Sequence, residues 1–576
     1  MERAYDLVIR GGRLYDGSGG EAREADVAVK DGVIAAVGQV HGRGAEEIDA
    51  RGQIVTPGFV DIHTHYDGQA TWDQRMQPSS WHGVTTVVMG NCGVGFAPCQ
   101  AKDHDRLVRL MEGVEDIPFP VLSQGLPWNW TSYPDYLDSL QSRRFDVDIG
   151  SQLPHAALRV FVMGERGANR EPATEADIAA MAAIAQRAVE AGALGFSTSR
   201  TLNHRTSDGQ PTPTLTAGED ELTGIAMGLA AAGRGVLQVV SDFADPEAEF
   251  AMLRRIIERS GRPLTFSLVQ SPLTPQSYKT LLAAVGDAVD AGLSVKAQVA
   301  ARPVGVLLGL ELTVNPFTHY PVYKEIAGRP FAERVAALRD PDFRARLLAS
   351  PPDEGVRGMG SAWGRMHLMS GLPDYEPTEQ STVAYQAQAR GVSPQDVALD
   401  HMLSDDGHAM LYVPFLNYAE GSLDPAYAML THRDTVPGLS DGGAHVGMIC
   451  DGSFPTTMLT HWTRDRTRGP KIPLERVIRM QTQDTARTFG LYDRGLVAPG
   501  FRADLNVIDY DNLTLFAPQV AYDLPAGGRR LIQRAKGYVA TIVAGQVTYR
   551  DGEPTDALPG RLLRGAQAAP VAQAAE

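Results

Sequence analysis

Two histidines one residue apart, His63 and His65, stand at the end of an apolar run, Thr56-Pro-Gly-Phe-Val-Asp-Ile-His-Thr-His65. In extended chain, residues i and i+2 project to the same side, so both imidazoles face one way. Imidazole is a common zinc ligand, and the strand ends at the mouth of a parallel barrel are where a divalent metal can be held. Two histidines hydrogen-bonded in a core would leave the same trace, so the pair needs company. Leu439-Ser-Asp-Gly442 supplies it, placing a carboxylate, Asp441, at the end of the last strand-like run. The first and last strands of a closed barrel are neighbours, which brings Asp441 to His63 and His65. A carboxylate there can bind metal and take a proton from water, whose pKa a metal lowers from about 15.7 toward neutrality. A second run ends Met89-Gly-Asn-Cys-Gly-Val-Gly95. The Cys92 thiolate is a strong zinc ligand, and Gly93 and Gly95 let the backbone turn behind it. The alternative for Cys92 is an inert buried thiol.

Other residues follow strand-like runs and are weighed against structural roles. His155, in Leu153-Pro-His155, either polarises a scissile carbonyl or makes a structural hydrogen bond. Arg302 either pairs bidentately with a substrate carboxylate or makes a salt bridge to a loop acid. His445, four residues past Asp441, is near enough to orient water or a leaving group. Ser199, Arg200 and His204 line the pocket or form a solvated loop. Trp128 and Trp130 form an apolar acyl pocket or anchor their own loop. The glycine-rich stretches lack the lysine of a phosphate loop and do not read as nucleotide binding.

The elements that must position these residues can be read from the alternation of apolar runs and Ala-rich helical stretches between Val55 and Asp441, the pattern of β-α units. Strands are expected near 58–63, 85–90, 147–153, 193–198, 235–241, 263–269, 293–300 and 436–441. Eight strands make a closed (β/α)8 barrel, an α/β fold, the simplest architecture. Residues 1–54 read as short β-runs, and residues 491–564 return to that pattern, so the two chain ends are expected to form one small β-sandwich. The barrel spans 55–490 with long insertions at about 92–145 and 302–414, both following strand ends and both expected to cover the mouth. The tail 565–576 has no periodicity and reads as disordered.

The chain has 576 residues, with 53 Lys and Arg against 69 Asp and Glu, a formal charge of −16. Such an acidic chain is a poor binder of nucleic acid and of anionic membranes, which leaves a small-molecule partner. With no apolar leader after Met1 and no membrane-length apolar segment, a cytoplasmic enzyme is expected. Three cysteines make a disulfide framework improbable. Oligomeric state is open, with a homo-oligomer allowed.

Taken together, Gly11-Gly-Arg-Leu-Tyr-Asp-Gly17, Pro57 to His65, Gly90-Asn-Cys-Gly93, Ala191-Gly-Ala-Leu-Gly-Phe-Ser-Thr198, Leu439 to Gly442 and Gly495-Leu-Val-Ala-Pro-Gly500 resemble the amidohydrolase superfamily, within it the N-acyl-D-amino-acid deacylase branch. The resemblance implies a zinc-dependent amide hydrolase on a barrel with an attached β-sandwich. It places His63, His65, Cys92 and Asp441 at metal-site positions, Cys92 replacing a bridging carbamylated lysine. The family's fifth and sixth strands usually end in histidines. Here they read Gly235-Val-Leu-Gln-Val-Val-Ser-Asp242 and Leu264-Thr-Phe-Ser-Leu-Val-Gln270. One zinc per chain is therefore expected, another divalent metal being possible, since Gln238, Asp242 and Gln270 are weak substitutes. The expected reaction is deacylation of an N-acyl (D-)amino acid. Asp441 serves as base and acid, His155 or the metal stabilises the oxyanion, and Arg302, His445, Ser199 and Arg200 contact substrate. The competing readings are cleavage of a cyclic amide or a C–C bond on the same barrel, and a non-catalytic binding protein.

Overall fold

A computed structural model of the chain describes residues 3–353 and 362–571. Its centre is a sheet of eight strands: Phe59–Asp61, Val84–Met89, Asp148–Pro154, Gly195–Arg200, Val236–Ser241, Leu264–Ser267, Val295–Val299 and Thr435–Pro437. Neighbours in this list are neighbours in the sheet, and every pair is parallel. Each strand falls on one of the eight apolar runs. They are buried almost end to end, as parallel strands covered on both faces must be. The helix Glu175–Ala191 shows how the cover is made. Thr174 and Asp177 close a capping box at its start, and it turns Met181, Ala185, Ala188 and Val189 inward.

The sheet curls until its two ends meet. Just past the first and eighth strands, Thr64 and Gly442 form a parallel bridge. The Asp441 N–H donates to the His63 carbonyl at 3.1 Å, and the His65 N–H donates to that of Gly442 at 2.8 Å. The backbone bonds that close the sheet are thus made by the residues singled out for their chemistry.

Both chain ends enter a second, nine-stranded sheet with its own apolar core. Within it Ile54–Pro57 pairs antiparallel with Leu505–Ile508, while Arg3–Leu14 pairs with Arg23–Lys30 on one side and with Arg43–Asp49 on the other. A buried ion network fastens this region to the central sheet. Asp148, on the third strand, accepts from Arg494 at 2.8 Å and faces Arg502 at 2.9 Å. In the stretch expected to be disordered, Gly565 and Gln567 are hydrogen-bonded to Gly192 and to Gly490 and Tyr492, so the end of the chain is held at least that far. Residues 572–576 lie outside the described residues.

The first insertion carries the helices His104–Glu115, Phe119–Gly125 and Tyr133–Gln141. The second carries a three-stranded antiparallel sheet, Gly305–Leu308, His367–Met369 and Met410–Pro414, and its own core around Val306, Phe317, Leu338 and Leu411. Both insertions reach the loop after the eighth strand. Leu307 and Thr313 donate to the Met448 and Gly447 carbonyls, and the Gly447 N–H donates to Asp116 at 3.0 Å. No described helix is long and apolar enough to cross a membrane.

Candidate metal centre

Where the sheet closes, buried donor atoms converge. His63 Nε2 lies 3.2 Å from Cys92 Sγ and 3.4 Å from Asp441 Oδ1, and His65 Nε2 lies 3.5 Å from the same oxygen. The ligand atoms of His63, His65 and Cys92 all fall within 4.8 Å of one another. A tetrahedral zinc with bonds of about 2.0–2.3 Å sets its ligands about 3.3–3.8 Å apart. Three of the contacts, at 3.2, 3.4 and 3.5 Å, are close to that spacing, so these residues fit the metal the family implies.

The backbone is bent to make this possible. Cys92 has φ +55° and Asp441 φ +49°, with Leu439 and His445 also in the left-handed region, where residues with a Cβ are uncommon. Gly90 (φ +78°) starts the turn that carries Cys92, and a Cβ there would come within 2.3 Å of the Gln152 carbonyl oxygen. The turn is held by bonds from the Cys92 N–H to Gln238 Oε1 at 3.1 Å and from the Gly93 N–H to Ser197 Oγ at 3.0 Å.

Second partners orient the imidazoles. Gln298 on the seventh strand donates its amide to Thr265, which turns its Oε1 toward His63 Nδ1 at 2.7 Å. The His63 Nδ1–H therefore donates and leaves Nε2 as a lone pair facing Cys92 and Asp441. Burial, opposed by Asp441, holds His63 down at about 4, so it is neutral and able to ligate. Burial works to raise the Asp441 carboxyl, but the hydrogen bond from His65 and the fields of His63 and His65 outweigh it and hold the group well below the carboxylate range. Burial pushes the Cys92 thiol up to about 12, so the thiolate forms only with a cation beside it.

A narrow cavity of about 20 Å³ lies beside Asp441, walled by Trp72, Ile117, Leu524 and Leu531, with Gln69 and Arg530 among its polar groups. Arg530 is engaged bidentately by Asp523 at 2.8 and 2.9 Å.

The remaining expected site residues sit as follows. His445 Nε2 is 3.9 Å from Asp441 Oδ2 and joins the cluster. Ser199 Oγ is 2.8 Å from His204 Nδ1, and burial with the imidazoles of His445 and His65 holds His204 down at about 3. Arg200 instead pairs with Glu249. His155 is fully buried with both ring nitrogens engaged, by Thr198 Oγ1 at 2.8 Å and Glu221 Oε1 at 2.9 Å, which is the structural hydrogen bonding weighed above. Arg302 makes the loop-acid ion pair, 3.1 Å to Asp451, with its guanidinium 3.4 Å from the centre of the Tyr375 ring. Trp128 stacks on His104 and Trp130 donates to the Phe96 carbonyl, so both anchor their own insertion. Asp242 accepts from Thr201 and Leu202, and Gln270 bonds Pro275 and Ala419, so neither replaces a strand-end histidine. Gln238 keeps a buried Nε2 without a partner.

One group at the centre has no counterpart in the sequence reading. Glu115 closes the helix His104–Glu115, and its Oε1 lies 3.2 Å from His65 Nδ1. A sequence signal existed: Leu107, Met111 and Glu115 are spaced by four, so the carboxylate falls on the apolar stripe of an amphipathic helix.

A model of the amidohydrolase family matches residues 46–549, a span that contains all four donors. The N-acyl-D-glutamate deacylase of Alcaligenes xylosoxydans xylosoxydans is 26% identical over 98% of this chain and 97% of its own length. The N-acyl-D-aspartate deacylase of the same organism is 39% identical over 34% of this chain and 36% of its own. A solved D-aminoacylase, described with a binuclear metal centre activated by one metal and attenuated by a second, superposes with TM-score 0.64 at 26% identity, covering 97% of this chain and all of that one. The fold is shared with the N-acyl-D-glutamate deacylase of Bordetella bronchiseptica, solved with zinc and a phosphonate mimic of the tetrahedral intermediate, at TM-score 0.65 and 23% identity over 98% of this chain and all of that one. With the family match running from the terminal sheet through both ends of the donor cluster, the chain belongs to the amidohydrolase family, in its D-aminoacylase-like branch.

Proposed function

We propose that this metal-dependent amide hydrolase deacylates an N-acyl amino acid, of the D series first, using one zinc held by His63, His65, Cys92 and Asp441. The observation that carries the reading is the convergence of the buried His63, His65 and Cys92, whose ligand atoms lie within 4.8 Å of one another, with Asp441 Oδ1 at 3.4 and 3.5 Å from the two imidazoles, where the parallel sheet closes. The architecture behind it, on this reading, is a (β/α)8 barrel with a β-sandwich built from both chain ends. The names of the similar deacylases support the substrate class.

When bound, the metal supplies Lewis acidity and lowers the pKa of water toward neutrality. Asp441, ionised because the neighbouring imidazoles hold its carboxyl low, accepts the proton of the attacking water and returns it to the leaving nitrogen. His63, fixed by Gln298, holds its lone pair at the centre without exchanging a proton. The apolar side chains of Trp72, Ile117, Leu524 and Leu531 wall the centre and keep bulk water from the reacting carbonyl. His155, held by Thr198 and Glu221, steadies the fourth strand and stays outside the reacting group.

The test is turnover of a panel of N-acyl-D- and N-acyl-L-amino acids by zinc-loaded protein, with His63→Ala and Asp441→Asn beside it. Chelator-sensitive deacylation of the D series by the wild type alone supports the reading. Wild-type turnover by either variant contradicts the assigned centre, and hydrolysis of other amides only contradicts the substrate class.

A further inference from the structure

Glu115 is a buried carboxylate at the C-terminus of its helix, where the exposed carbonyls disfavour negative charge. Its ion-pair partners are both histidines: Oε1 is 3.2 Å from His65 Nδ1, and Oε2 is 3.4 Å from His445 Nε2. His65 Nδ1 and Glu115 Oε2 are also both buried without a satisfied hydrogen bond. A carboxylate placed against its own helix dipole and deprived of water needs compensation from a cation close by. The helix end is clamped in this position. The His445 N–H donates to the Glu115 carbonyl, and the neighbouring Asp116 accepts from Gly447 and from Thr313 Oγ1, both at 3.0 Å.

We propose that Glu115 is the positioning residue of the metal centre. It accepts a proton-bearing Nδ1 from His65, fixes that tautomer, and turns His65 Nε2 toward the metal. It does for His65 what Gln298 does for His63, with the difference that a charged acceptor makes the imidazole a stronger donor to metal. Because Glu115 belongs to the first insertion and its second oxygen faces His445 in the loop after the eighth strand, seating of the insertion and metal affinity become one event. The inference rests on the zinc centre proposed above and not on the substrate.

The experiment is competition of wild type and Glu115→Gln against a chromophoric chelator for zinc, with thermal unfolding of each. Loss of an outer-shell partner of a ligating histidine typically costs about 10–100-fold in metal affinity. Glu115→Gln is expected to bind zinc that much more weakly while folding normally. Wild-type affinity in Glu115→Gln overturns the assignment. Selective ¹⁵N-histidine labelling of the zinc-loaded wild type reads the same point without a variant. A protonated Nδ1 on His65 is expected, and an Nδ1 bound to metal overturns the proposal. If His63→Ala also retains zinc, the centre itself is misplaced; if only Glu115→Gln retains it, this inference alone fails.

Discussion

Replacing Asp441 by asparagine isolates its proton transfer from its shape. Asp441 occupies the left-handed region at φ +49°, and asparagine enters that region at least as readily as aspartate, so the substitution adds no backbone strain. The backbone bond from residue 441 to the His63 carbonyl, which helps close the sheet, does not involve the side chain. The amide oxygen can still occupy the place of Oδ1, 3.4 Å from His63 Nε2 and 3.5 Å from His65 Nε2. What is lost is the proton acceptor, together with the anionic charge it brings to the metal, which is why the assay is run at saturating zinc. General acid–base catalysis contributes about 10²–10⁴ in rate, or about 3–5 kcal/mol of barrier. Steady-state kcat on an N-acyl-D-amino acid is the assay, at saturating zinc, with bound metal and melting temperature measured on the same sample. The expectation is a fall of at least about a hundredfold in kcat at wild-type stability. A kcat within about threefold of wild type, with metal bound, would refute the role given to Asp441.

Cys92→Ser removes a ligand outright and should weaken zinc by more than the roughly 100-fold upper range for outer-shell losses, read by chelator competition. Asp148→Ala takes one partner from Arg494, itself 1% exposed, while Asp493 still holds the guanidinium, so urea unfolding should show a loss of about 1.5–3 kcal/mol. His82 is buried between Thr456 Oγ1 and the Gln533 carbonyl, and burial, only partly offset by the Gln533 bond, holds it down at about 3. The unfolded chain protonates that histidine near pH 6.5 and the folded chain does not. Its contribution to stability is therefore complete above about pH 6.5 and lost as pH falls toward about 3. Urea midpoints at intervals across that window should fall for the wild type and flatten in His82→Gln; equal slopes would reject the assignment.

The eight strands were legible because parallel strands covered on both faces become continuous apolar runs, and each run found its strand within a few residues. The grouping of His63, His65, Cys92 and Asp441 was legible for a related reason: each follows a strand end, so the order of the strands places them together. Glu115 was not, because its position depends on how a helix in an insertion folds back over the sheet, and only its place on an apolar stripe hinted at burial. For Arg302 and His155 the partners were what the sequence could not show. Both follow strands as a site residue should, yet Asp451, Thr198 and Glu221 reach them from distant parts of the chain and take up their hydrogen bonds. The tail gave no periodic signal because it is held by backbone bonds to Gly192, Gly490 and Tyr492, which any sequence can make.

The most direct measurement is the elemental metal content of the purified protein, taken with amide-hydrolase turnover before and after chelation. The account predicts about one zinc per chain and turnover that chelation removes and zinc restores. Protein without metal that stays inactive after zinc is added, or turnover indifferent to chelation, would contradict it.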